Sequence, residues 1–101
     1  MMELDNALVQ ELRLLAVDGQ SPMRMYSFVE SRLGKSVSVI IITFYFRKAF
    51  CLNLLEAKPI VTYILANHIL SDIEIESLIN EAMTPIIEQH RQEWTQPILN
   101  A

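Results

Sequence analysis

Apolar residues recur along most of this chain at intervals of three and four. Leu4, Leu8, Leu12 and Leu15, with Ala7 and Ala16 beside them, draw one stripe through residues 3–17, and Glu3, Glu11 and Arg13 fall off it. That spacing predicts an amphipathic helix. Asp18-Gly19 supplies its stop, because glycine takes the left-handed cap without steric cost. Ser21-Pro22 reads as an N-cap followed by proline at the first helical position. Met25, Tyr26, Val29 and Leu33 then share a face until Gly34 closes the second helix. Ser36 or Ser38 caps the next segment. Further on, Asn53 with Glu56 three residues later forms a box-like helix start. Pro59 leaves two readings open: a helix from Asn53 that tolerates an interior proline, or a regular helix that begins at Pro59 itself. Ile60, Tyr63, Ile64 and Asn67 continue it in either case. Ser71-Asp72-Ile73-Glu74 is a capping box that opens a helix with Ile75, Leu78, Ile79, Ala82 and Met83 on one side. Asp72 and Glu74 sit where the positive end of the helix dipole favours acids. Thr84-Pro85 repeats the cap-then-proline pattern. It predicts a sixth helix from Ile86 to about Trp94, or a kinked continuation of the fifth, with residues 96–101 as a frayed tail.

Between these stripes lies Val37–Phe46, V-S-V-I-I-I-T-F-Y-F, ten residues with almost no polar interruption. Its residues are mostly β-formers, and periodicity cannot separate a buried strand from a buried helix in so short a run. A strand needs a partner, however, and no second segment of the chain reads as one. The run is therefore assigned to a helix ending near Phe50. It is stopped by Arg47-Lys48 and falls well short of the roughly 20 residues a membrane span requires. A helix apolar nearly all round must be covered on every side. Either it is the central helix of the fold, or part of it, with Tyr45 and Phe46, lies in a homodimer interface. The prediction is an all-α domain over residues 1–95, a bundle of five or six short helices around residues 37–50.

Composition agrees. The chain has 101 residues, of which 51% are hydrophobic and 20% charged, which excludes wholesale disorder and suits one domain. Only two glycines and four prolines are present, too few for an all-β chain with many turns. The net charge of −4 is unevenly spread: five acids and three bases in residues 1–34, one acid and four bases in 35–70, six acids and one base in 71–101. Nucleic-acid binders need a basic stripe to neutralise phosphates, and the acidic last third would repel a polyanion. A basic protein surface is the better electrostatic match for that third, against the plainer reading of a solvated helix face. Cys51 is the single cysteine, so no intramolecular disulfide forms, and its apolar neighbours predict a buried small hydrophobe. The acidic start M-M-E-L-D lacks the basic region of a secretory signal, and with the lone thiol it points to the cytoplasm.

Chemistry is sparse. His68 and His90 with Cys51 have no metal-ligand spacing. His90, among Glu88, Gln89 and Arg91, reads as exposed, and His68 as a helix end. Cys51 and His68 as a nucleophile pair would lack an orienting group and an oxyanion loop. With only Gly19 and Gly34, no phosphate loop exists. Glu74 and Glu81 fall on a solvated face, which argues against acid–base work. Neither cofactor, metal nor enzymatic activity is expected. Met23, Met25, Tyr26 and Phe28 read as core more readily than as an adaptable binding surface. Trp94 either pins the C-terminal segment to the body or anchors a partner.

The segment Cys51-Leu52-Asn53-Leu54-Leu55-Glu56-Ala57-Lys58 resembles the G-L-G-L-K-E-A-K corner in the C-terminal domain of the bacterial ribosomal stalk protein. Arg47 falls where that family carries an arginine on the preceding helix, and Ser71–Met83 is weakly similar to its next helix. The resemblance implies a helical hairpin, with Leu52 and Leu54 pointing into the core and Asn53 making the tight turn. It also implies a hairpin that docks another protein through Arg47 and Lys58. Val39 and Phe44 stand at other basic positions of the family's first helix, Cys51 and Asn53 stand for its corner glycines, and its flanking strands have no counterpart.

The leading functional expectation is a non-enzymatic protein-interaction module. Its most concrete form is a small acidic immunity-type inhibitor that covers a basic surface of a toxin or enzyme with Asp72, Glu74, Glu76, Glu81 and Glu88. A stalk-like adaptor using Arg47 and Lys58 comes second, and a helix-turn-helix DNA regulator third.

Overall fold

The computed structural model describes residues 4–99. These form six helices: α1 (Asn6–Val17), α2 (Pro22–Leu33), α3 (Val39–Phe50), α4 (Leu54–Leu65), α5 (Asp72–Gln89) and α6 (Arg91–Leu99), and no strand occurs among the described residues. The fold is all-α. Its radius of gyration, 12.9 Å, is that of a single domain of this length. No helix among the described residues is long and apolar enough to cross a membrane.

Local chemistry starts the first five helices. Asp5, Ser21, Ser38, Asn53 and Ser71 each accept a hydrogen bond from a first-turn backbone N–H, satisfying donors that the helix itself leaves free. The α1 helix begins at Asn6, three positions after the predicted start at residue 3, because Asp5 takes the capping position; Glu3 lies outside the described residues.

The oily segment is a helix, and it does run through the centre of the fold, packed against α1, α2, α4 and α6. It begins at Val39, since Ser38 rather than Ser36 is its cap. Ile42, Phe46, Ala49 and Phe50 are fully buried and Tyr45 nearly so, so Tyr45 and Phe46 are covered within the chain itself. Tyr45 also accepts a hydrogen bond at Oη from the Asp5 backbone N–H at 2.9 Å, fastening the start of α1. Coverage on every side is not achieved. Ile40 and Phe44, one turn apart, are exposed.

Two corrections concern the C-terminal third. Thr84-Pro85 does not start a helix: of the two readings the continuation holds, and α5 runs on through Pro85 to Gln89. Ile75, Ile79, Met83 and Ile87 repeat every four residues and are buried throughout, so one continuous apolar face outweighs the single backbone bond that proline removes. Nor are residues 96–99 a frayed tail, because α6 continues through Leu99; at this end of the chain Asn100 and Ala101 lie outside the described residues. Trp94 holds this last helix down. It is fully buried, its ring meets Phe50 edge-on at 5.2 Å, and its Nε1–H donates to the Ile87 carbonyl at 2.8 Å.

Arg13, off the predicted stripe, is nevertheless buried. Its Nε–H donates to the Ala49 carbonyl at 2.7 Å and its Nη2–H to that of Lys48 at 3.2 Å. A guanidinium thereby caps the carbonyl end of α3, where helix geometry leaves acceptors free and the dipole favours a cation.

Candidate functional site

The chain turns from α3 into α4 at Cys51-Leu52-Asn53. The left-handed residue is Cys51, with φ 59° and ψ 38°, and its place as the α3 C-cap turns it outward. Two expectations fall with that observation. Asn53 does not make the tight turn: it is extended at φ −81° and serves as the α4 N-cap. Cys51 is exposed, not a buried hydrophobe. Partial desolvation of its sulfur still pushes the thiol pKa up, with Glu93 adding to the rise and Arg13 and Lys48 opposing it. His68 sits in the exposed turn beyond the far end of α4. A helix of that length, roughly 18 Å, therefore separates it from Cys51, and the two form no nucleophile pair.

Asn53 and Glu56 close a full capping box, the carboxylate accepting from the Asn53 N–H at 3.0 Å and the Asn53 amide oxygen from the Glu56 N–H at 2.8 Å. The helix thus begins at Leu54, and Pro59 is interior. Of the two corner leucines only Leu52 is buried. Starting at Leu54 sets the inward positions at Ala57 and Ile60 and turns Leu54 to solvent, correcting its expected place in the core. Leu54, Leu55, Lys58, Thr62 and Leu65 all lie exposed on the outer side of α4. Ile69 follows in the turn after α4, and Ile73 in the first turn of α5. The exposures are 67% for Leu54, 75% for Leu55, 57% for Leu65, 73% for Ile69 and 82% for Ile73. Lys58 is the only charged group among the exposed side chains of α4. With Leu55, Pro59, Thr62 and Tyr63 it lines a shallow hollow.

Arg47 is half-buried and otherwise engaged. Its Nε–H donates to the Leu52 carbonyl at 3.4 Å and its guanidinium lies 5.8 Å from the Phe44 ring centre. It borders a different hollow, with Leu4, Phe44, Lys48 and Leu52. The two cations of the adaptor reading thus line separate concavities.

The acids of α5 do not form one face. Glu74, Glu81 and Glu88 are seven residues apart and line up on the outward side, whereas Asp72 and Glu76 fall about half a turn away. Glu74 is committed to its capping box, and the Ser71 backbone N–H, with the Ser71 hydroxyl, holds its carboxyl below the usual range. Glu88 pairs with Arg91 at 2.7 Å. Glu76 borders a polar hollow with Met23, Arg24 and Phe28. Trp94 is buried within the chain.

His90 is the residue the sequence misplaces most. It is not exposed but sits half-buried at the joint between α5 and α6. Its Nε2 lies 2.7 Å from Glu56 Oε2 and its Nδ1 3.1 Å from Glu93 Oε1. Ionised carboxylates only accept, so both contacts are satisfied at once only by the doubly protonated ring. The Glu56 hydrogen bond raises the His90 pKa above its ordinary value, aided by Glu93 and opposed by desolvation, and in return His90 lowers that of Glu56, together with the Asn53 N–H.

Among the described residues no group of three or more His, Cys, Asp or Glu side chains is placed to hold a metal ion. No known protein family, curated protein or solved structure matches this chain.

Proposed function

We propose that this chain is a non-enzymatic protein-binding module whose docking face is the outer side of α4 with its turn into α5. One observation carries the reading: Leu54, Leu55, Leu65, Ile69 and Ile73 present large apolar side chains to solvent from one helix and the turn that follows it. Leaving such a set uncovered is costly, and apolar clusters rimmed by polar groups mark protein-interaction sites. Lys58, alone in charge on that side of α4, suits a partner that brings an apolar ridge with an acidic residue beside it. A second copy of the chain is the competing occupant, and sedimentation velocity at rising concentration separates the two. The same surface is poorly made for duplex DNA, since a recognition helix needs more than one cation and fewer leucines. An exposed single thiol suits a reducing compartment such as the cytoplasm.

A second reading, the acidic inhibitor of a basic toxin or enzyme, draws on the outward row Glu74, Glu81 and Glu88. Two of those three are already engaged within the chain, so the row offers less free charge than its composition promised.

Capture from native cell extract with three baits tests the proposal. Leu54→Ser with Leu55→Ser alters only exposed side chains and should leave stability within about 0.5 kcal/mol, yet abolish capture of the partner that the native chain retains. Capture that survives this change but is lost with Glu81→Lys and Glu88→Lys would transfer the function to the acidic row.

A further inference from the structure

We infer that Glu56, His90 and Glu93 form a protonation-controlled latch that fixes the first turn of α4 to the joint between α5 and α6. The leucine-bearing end of the proposed docking face is thereby coupled to the protonation state of one histidine. The latch stands on geometry alone; its consequence for binding rests on the function proposed above.

The three residues come from three places in the fold. Glu56 lies in the first turn of α4, beside Leu54 and Leu55, and closes that helix's capping box. His90 is the single residue between α5 and α6, and Glu93 is in the first turn of α6. The contact between His90 and Glu56 spans 34 positions of sequence and is short, at 2.7 Å. One oxygen of Glu56 serves the histidine while the other accepts from the Asn53 N–H. A single carboxylate thus joins the start of α4 to the end of α5. With both ring nitrogens facing carboxylates, loss of one proton leaves a lone pair aimed at an anion. The neutral ring can keep one of the two bonds but not both, and the joint or the α4 turn must give.

The charged groups around the joint are few. Glu56 faces it from α4, and Glu93 from α6. Arg91, also on α6, is turned to Glu88 and to the Trp94 ring. Beyond Glu93 lie Cys51 at the end of α3, Lys48 of α3 and Arg13 of α1, the last two interacting with the Cys51 thiol. Glu56 and Glu93 are the two groups among these that bond to His90, so its protonation governs the latch directly.

Imidazole nitrogen NMR on the native chain, followed across the neutral range, should show His90 still doubly protonated above 6.5, the ordinary histidine value. Amide exchange, corrected for its intrinsic pH dependence, is read at Glu56 and Ala57, whose N–H groups donate to the Asn53 amide oxygen and carbonyl. Their protection should fall as His90 titrates, by about tenfold for each pKa unit by which His90 lies above 6.5, while α2 amides hold steady. In Glu56→Gln, which keeps an acceptor for the Asn53 N–H, the His90 titration should move back towards 6.5. His90 titrating no higher than 6.5, or unchanged protection at Glu56 and Ala57 through the His90 titration, would overturn the latch. The native-chain titration decides the matter even if the variant does not fold. Because no partner is present, its failure is separate from failure of the docking face.

Discussion

Arg13 is the clearest case of a residue whose role is invisible in its own neighbourhood. On α1 it looks like a solvated charge, yet it closes the carbonyl end of α3 through Ala49 and Lys48. Arg13→Met keeps the length of the stem and strands those carbonyls. Urea unfolding should show a loss of about 1–3 kcal/mol, the cost of leaving buried acceptors unmade, while Arg24→Met, at an exposed position, should change stability by less than about 0.5 kcal/mol. Equal effects would mean that Arg13 does not cap α3. Cys51 makes a second test. Its positive φ favours glycine and punishes a β-branched residue, so Cys51→Val should be less stable than Cys51→Gly by about 1–2 kcal/mol. What hid these roles is distance along the chain. The acceptors of Arg13 lie 35 and 36 positions away and the Glu56 partner of His90 34 away, whereas sequence pattern speaks only for neighbours. Cys51 was partly legible, since the resemblance placed it at a corner glycine, but the tight turn was assigned one glycine too late.

Helix starts were the most legible feature, because a cap and its box lie within four residues and obey local chemistry. Asn53-Glu56 and Ser71-Glu74 both form the boxes expected of them. Prolines misled, and the reason is energetic: an interior proline costs one helix about 3 kcal/mol, which a long buried stripe can outweigh. Thr84 and Pro85 face solvent, and Ile79, Met83 and Ile87 are buried on the other side. Pro85→Ala restores the missing N–H without touching that stripe, so it should raise stability by about 1–3 kcal/mol in denaturant unfolding; a loss would show that α5 needs a bend at this point. The end of α6 was unreadable for a different reason. Its anchor is the contact of Trp94 with Phe50, a tertiary event that polar neighbours in sequence do not announce.

For the molecule as a whole, the central oily helix follows from arithmetic: so apolar a segment must find cover, and four helices supply it. Which side stays open did not follow, because that depends on how many neighbours fit around it. The same holds for the outer side of α4, where the corner geometry rather than composition turned Leu54 and Leu55 to water. Stability should depend on pH through the joint. The His90 pKa is raised above 6.5, so its contribution is complete below that value and is lost as pH rises through the folded pKa. The Glu56 and Glu74 pKa values are lowered below 4.5, so theirs is complete above that value and is lost as pH falls through the folded pKa. Thermal melting across pH should therefore show greatest stability between about 4.5 and 6.5 from these groups, and His90→Gln should flatten the alkaline side.

The docking face itself is best examined by placing a photo-crosslinking residue, one position at a time, at Leu55, Ile73, Ile40 and Glu81 in the native cell. Adducts to one protein from Leu55 and Ile73, lost on adding Lys58→Glu and not formed from Glu81, are the predicted result. Adducts from Glu81 or Ile40 with none from Leu55 or Ile73 would contradict it.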